Sequence, residues 1–134
     1  MPAALEEGVQ LPIMIRRPTA VDLFMFSAAA WLIHRIHYDA SFTTEHDGHP
    51  ALLIHGPLQG TYMVQCAQSW LGPSASLREL EYRHRAPAYL GEALECGGSV
   101  ARIADTATVE LDLWVRKDDG EVTTAGRAVF ALQS

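Results

Sequence analysis

The stretch "PLQGTYMVQCAQSWLG", residues 57–72, decides the architecture. It opens on Pro57, which suits the first turn of a helix because no intrahelical N–H is required there. It closes on Gly72-Pro73, a stop signal. Between them Leu58, Gly60, Tyr62, Met63, Val64, Cys66, Ala67, Trp70 and Leu71 put apolar or small side chains on nearly every side. A helix of that kind is buried. Gly60 and Ala67 leave room for a neighbour to pack closely.

Downstream of Pro73 the pattern changes to strands. "TATVELDLWVRK" alternates cleanly, with Val109, Leu111, Leu113 and Val115 on one face and Glu110, Asp112, Trp114 and Arg116 on the other. "DDG" at 118–120 signals a hairpin, and "EVTTAGRAVFAL" supplies the returning strand. "SLRELEYRHRAP" alternates imperfectly, and "ALECGGSVARIAD" follows a turn at Gly91-Glu92. The expected order is one long buried helix, then an antiparallel meander of about four strands wrapped around it. The class is α+β.

Upstream, the first 18 residues read as an extended arm ending at Pro18, with residues 19–134 as a single domain. "TAVDLFMFSAAAW" fits strand or helix: its aromatic and branched front half favours a strand, and its alanine triplet a helical turn. "SFTTEHDGHP" is polar and turn-like, with Gly48 and Pro50 as breakers.

At 134 residues and 49% hydrophobic content, the chain can bury one respectable core. A net charge of −6 argues against non-specific nucleic-acid binding. Cys66 and Cys96 sit in no metal-ligand spacing and read as reduced, buried thiols. "MPAALEEGVQLPIMIRRP" has acids before any apolar run, so no secretory signal is expected. No apolar run reaches membrane-spanning length. The protein is therefore expected in the cytoplasm, with no membrane or nucleic-acid partner.

Three segments carry a resemblance: "FSAAAWLIHRIHYD" (26–39), "LLIHGPLQGTY" (52–62) and "YRHRAPAYLGEAL" (82–94). In this order they resemble the MaoC-like dehydratases and R-specific enoyl-thioester hydratases, and the likeness runs over residues 19–132. It implies a hot-dog fold, an antiparallel sheet wrapped around one long central helix. It also implies hydration of an enoyl thioester, or dehydration of a 3-hydroxyacyl thioester, on coenzyme A or an acyl carrier protein. No cofactor and no metal are implied. Hot-dog domains pair, so a homodimer, or a heterodimer with a second hot-dog subunit, is expected.

In that family an Asp or Asn and a His five residues downstream form the catalytic pair. His37 matches the histidine, and Leu32 falls where the acid or amide belongs. His34 stands where many members carry an asparagine. Gly56 of "HGP" matches the glycine whose N–H faces the thioester oxygen, with His55 beside it.

The chemistry explains these residue types. Adding water to an enoyl thioester needs a base for the water, an acid for the α carbon, and a donor for the developing oxyanion. Histidine titrates in the right range for the base. A backbone N–H at a helix N-terminus suits the oxyanion, and glycine keeps the approach open. His37, His34 and Gly56 are thus the candidate catalytic residues. His55, Leu32, Arg83 and Arg85 are candidates for the substrate wall, the two arginines as partners for coenzyme A phosphates.

Each has a plainer reading. His37 could cap a turn, His34 could only bond its loop, and the arginines could be a solvated strand face. Asp39 reads as the N-cap of "ASFTTE". His34, His37, Asp39, His46 and His49 are chemically possible metal ligands, but their spacing matches no closed site.

Two other functions remain open. Leu32 has no donor or acceptor, so the chain could be the non-catalytic, acyl-binding half of a two-subunit hydratase, weakly active or silent by itself. A hot-dog thioesterase is the third reading, and the absence of Asp and Glu from residues 57–72 counts against it.

Overall fold

The computed structural model describes residue 2, residues 5–105 and residues 107–133. In chain order it runs β1 (Met14–Arg16), α1 (Ala20–Ala30), a single 3-10 turn (Arg35–His37), α2 (Ala40–Glu45), α3 (Gly56–Leu71), β2 (Ala75–His84), β3 (Leu94–Ala104), β4 (Thr108–Lys117) and β5 (Val122–Leu132). One antiparallel sheet of five strands, ordered β1-β3-β4-β5-β2, packs against α3. This is the expected α+β arrangement of a sheet around a long central helix.

Helix α3 begins and ends within one residue of the span read from Pro57 and Gly72. Gly72 closes it, its N–H donating to the Gln68 carbonyl at 2.9 Å. Met63, Ala67 and Leu71 are fully buried, and they share one core with Val109, Leu111, Leu113 and Val115 of β4. Only Pro57, Thr61, Gln65 and Ser69, recurring every four residues, stay exposed along α3.

The expected meander is corrected in one respect. β3, β4 and β5 do follow one another, but β2 pairs with β5 at the far side instead of with β3, and β1 of the N-terminal arm takes the other flank of β3. A hairpin between β2 and β3 would need a short turn. The connection, residues 85–93, is instead spent elsewhere. Ile54 donates to the Ala88 carbonyl at 2.8 Å and Leu90 to the Leu52 carbonyl at 2.8 Å, tying it to the segment that leads into α3. The imperfect alternation of β2 also has a local cause, an irregularity between Leu77 and Glu79.

The ambiguous segment is a helix throughout. Thr19 accepts from the Asp22 N–H at 3.2 Å and the Asp22 carboxylate accepts from the Thr19 N–H at 2.8 Å. This reciprocal cap outweighs the strand preference of the aromatic front half. α1 buries Leu23 and Ser27, while Val21, Phe24 and Met25 stay exposed.

Glycines let β2 lie on α3. A Cβ at Gly60 would come within 2.8 Å of the Tyr82 ring, and one at Gly56 within 3.0 Å of the His84 ring. Gly56 and Gly60 are one helical turn apart, and Tyr82 and His84 project from the same side of β2. Close approach there requires the small residues that the sequence supplies.

Candidate active site

Four elements converge on the N-terminus of α3: the 3-10 turn, the end of α1, the approach to α3, and the end of β2. The 3-10 turn carries His37. His37 Nδ1 lies 2.9 Å from the Leu53 carbonyl. A carbonyl only accepts, so Nδ1 bears the proton and Nε2 keeps its lone pair free. Burial holds the His37 pKa below its usual value; the Leu53 bond opposes this, and the charges of His34 and His84 add to it. Near neutral pH His37 is therefore an uncharged imidazole with Nε2 available as a base.

The His37 ring stacks on that of His55, with centroids 3.8 Å apart and planes 19° from parallel. His55 is fully buried and is the N-cap residue of α3. Its Nε2 is 2.7 Å from Ser27 Oγ of α1, and Phe26 closes its other side at 4.9 Å between centroids. His55 Nδ1 has no hydrogen-bond partner among the described residues. An unpaired lone pair costs less than an unpaired N–H, so the proton belongs on Nε2, donated to Ser27. Burial and the neighbouring His37 push the His55 pKa down to about 4.

Gly56 follows directly, its N–H at the positive end of a 16-residue helix. His34 serves its own loop: Nδ1 accepts from the Ile36 N–H at 3.2 Å, and its ring centroid is 6.3 Å from that of His37. Asp39 caps α2, accepting from the Phe42 N–H at 3.1 Å, and pairs with Arg35 at 2.9 Å. Leu32 is half-buried just beyond the end of α1.

Arg83 and Arg85 lie apart from this cluster. They line a groove of about 700 Å³ together with Trp114, Asp112 and Arg127, and neither the histidines nor Gly56 borders it. Asp112 and Trp114 sit on the side of β4 opposite the buried face, which places much of this groove on the sheet's outer side. Among the described residues no three His, Cys, Asp or Glu side chains come together as a metal site. No helix among them is long and apolar enough to cross a membrane.

Two contributors were not read from the sequence. Ser27 looks like one more small residue before the alanine triplet. His84 sits between the two arginines that drew attention, although its i, i+2 relation to Tyr82 marks it as facing the helix.

Residues 9–90 match the family of hydroxyacyl-thioester dehydratase type 2. The chain belongs to that family. The matched region holds every element of the histidine cluster, and the MaoC-like character expected from "HRIHYD" and "HGP" stands with it. This dehydratase-family chain is 30% identical over 98 residues to the mitochondrial hydroxyacyl-thioester dehydratase type 2 of Schizosaccharomyces pombe, covering 71% of the chain and 33% of that protein. It is 34% identical over 67 residues to mesaconyl-C(4)-CoA hydratase of Chloroflexus aurantiacus, covering 50% of the chain and 23% of that protein. The chain thus spans a third or less of the curated relatives it matches.

Solved structures carry the same fold. The (R)-hydratase of A. caviae superposes with a TM-score of 0.89 at 18% identity, covering 98% of this chain and 99% of that one. A chain of the ChsH1–ChsH2 complex from Mycobacterium tuberculosis superposes at 0.87 and 15% identity, covering 97% and 100%.

Proposed function

We propose that this chain hydrates an enoyl thioester, or dehydrates a 3-hydroxyacyl thioester, carried on coenzyme A or an acyl carrier protein. The observation that carries this reading is His37, fixed by the Leu53 carbonyl with Nε2 free, stacked on the residue that leads into Gly56. The thioester carbonyl would accept from the Gly56 N–H, and the helix dipole would stabilise charge developing on that oxygen. His37 Nε2 would take a proton from the water that adds at the β carbon. His34 is the reserve candidate for that role. His55 supports the ring of His37 from behind, and Arg83 and Arg85 are proposed to meet the carrier's phosphates.

A second reading has its own observation. Leu32 offers no polar atom where the family's acid or amide would stand, so this chain could bind the acyl group while a partner subunit supplies the chemistry. The C. aurantiacus and S. pombe relatives are roughly twice as long as this chain, since 67 and 98 matched residues make up 23% and 33% of them, which suits a chain that works beside a second hot-dog unit. β2 is an edge of the sheet, with Leu77 and Tyr82 partly exposed, and pairing there would cover it. We place the protein in the cytoplasm as at least a dimer, with residues 1–18 as an arm on a single domain.

Titration with crotonyl-CoA and longer enoyl-CoAs, alone and with a co-expressed hot-dog partner, tests the proposal. Saturable binding supports it. No binding in any combination removes the thioester reading.

A further inference from the structure

His84 has a place in the site that neither the spacing of "HRIHYD" nor Leu32 would suggest. Its imidazole lies flat against Gly56: a Cβ there would meet Cε1, Nδ1 and Nε2 at 3.0, 3.1 and 3.2 Å. The ring therefore borders the backbone that is proposed to hold the thioester oxygen. Gly56 follows His55, whose ring stacks on that of His37 at 3.8 Å, so both imidazoles flank the start of α3.

The tautomer of His84 follows from a chain of hydrogen bonds. Gln59, fully buried, donates from Nε2 to the Ile54 carbonyl at 3.4 Å. That orients its Oε1 toward the hydroxyls of Thr123 at 2.6 Å and Thr124 at 2.9 Å, both of which donate to it. Thr124 has spent its only proton, so it accepts from His84 Nδ1 at 3.0 Å. Nδ1 bears the hydrogen, and Nε2 is left as an acceptor with no partner among the described residues. A buried network thus presets a partly exposed imidazole with its lone pair available beside Gly56.

We propose that His84 Nε2 accepts a hydrogen bond from the water that adds at the β carbon, or from the 3-hydroxyl in the reverse direction, and so takes the orienting role for which Leu32 has no atoms. His84 transfers no proton. The water gives one hydrogen to His37 Nε2 as its oxygen bonds the β carbon and points the other at His84; the proton held on His37 then passes to the α carbon, which completes the addition and returns His37 to its neutral form. On an enoyl thioester the β carbon lies only two bonds beyond the carbonyl carbon, so a group bordering the carbonyl's donor is placed to reach that water. The inference rests on the thioester reading above.

His84→Asn tests it. The Asn amide is expected to keep a donor toward Thr124 while removing the acceptor at the Nε2 position. With crotonyl-CoA and the full chain, alone or with its co-expressed partner, kcat is expected to fall about ten- to a hundredfold, as for one lost transition-state hydrogen bond. KM and the thermal midpoint should stay near wild type. A kcat within twofold of wild type, or a loss that simply follows a lowered thermal midpoint, overturns the role. Long-range proton–nitrogen spectra of the wild type read the tautomer without any variant: neutral His84 protonated on Nδ1 supports it, and protonation on Nε2 overturns it. Binding of crotonyl-CoA without turnover in any assembly overturns this inference and leaves the binding reading standing. Absence of binding overturns both.

Discussion

His37 and His55 stack face to face, 3.8 Å between centroids, with His55 wholly buried and Nε2 joined to Ser27. Two imidazolium ions cannot occupy that geometry cheaply. The stack therefore exists as a neutral pair, and its stability depends on pH.

The sign follows from where each state binds its proton. In the unfolded chain His55 titrates near the ordinary 6.5, and in the folded protein only at about 4. Above pH 6.5 both states are neutral and the stability is fully present. Between about 6.5 and 4 the unfolded chain alone takes up the proton, and stability falls by about 1.4 kcal/mol per pH unit, on the order of 3 kcal/mol in all. His37 and His84, also shifted downward, add loss on the acid side of 6.5. Urea unfolding at pH 7.5, 6 and 5 should show this decline, and His55→Gln should flatten it. A wild-type stability independent of pH across that range would mean that His55 is not held neutral.

Gly60 is expected to resist substitution. The methyl of Gly60→Ala would press on the Tyr82 ring at 2.8 Å, separating β2 from α3. Thermal or urea denaturation should show a loss of roughly 1–3 kcal/mol. Truncating the ring in the same chain, Gly60→Ala with Tyr82→Ala, should cost less than the sum of the two single changes. Strict additivity would show that the two residues do not meet.

These contacts also show how far the sequence could be read. α3 was legible because Pro57, Gly72 and the all-round apolar pattern agree, and β4 because a strand half-buried against a helix must alternate. Asp39 was legible as a cap because a short acidic side chain before "ASFTTE" has few other local uses. The pairing of β2 with β5 was not, since strand order depends on where the 85–93 connection finds its hydrogen bonds, a long-range matter that no local pattern records. α1 was ambiguous for another reason. Its aromatic front half reads as strand, and the Thr19–Asp22 box that settles it is only four residues long. Within the site, His37 and Gly56 stood out through the family resemblance carried by "HRIHYD" and "HGP". His84 reaches them only through the packing of β2 on two glycines of α3.

Leu32→Asp should alter the behaviour of His37. A carboxylate within about 4–6 Å favours the imidazolium and raises its pKa, reversing the present downward shift. The acid limb of the kcat/KM profile should move upward by about one pH unit, with a gain in turnover for the chain assayed alone. If neither the limb nor the rate moves, the side chain at position 32 does not face His37.

The most direct test of the account is the turnover of crotonyl-CoA by wild type and His37→Ala, each assayed alone and with a co-expressed hot-dog partner. The account predicts hydration by the wild type in at least one of these forms, within a few decades of the roughly 10 per second ordinary for enzymes. It predicts a fall of about two to four orders of magnitude in His37→Ala, with the fold retained by circular dichroism. Hydration that survives His37→Ala nearly intact, or no hydration by the wild type in any form, would contradict it.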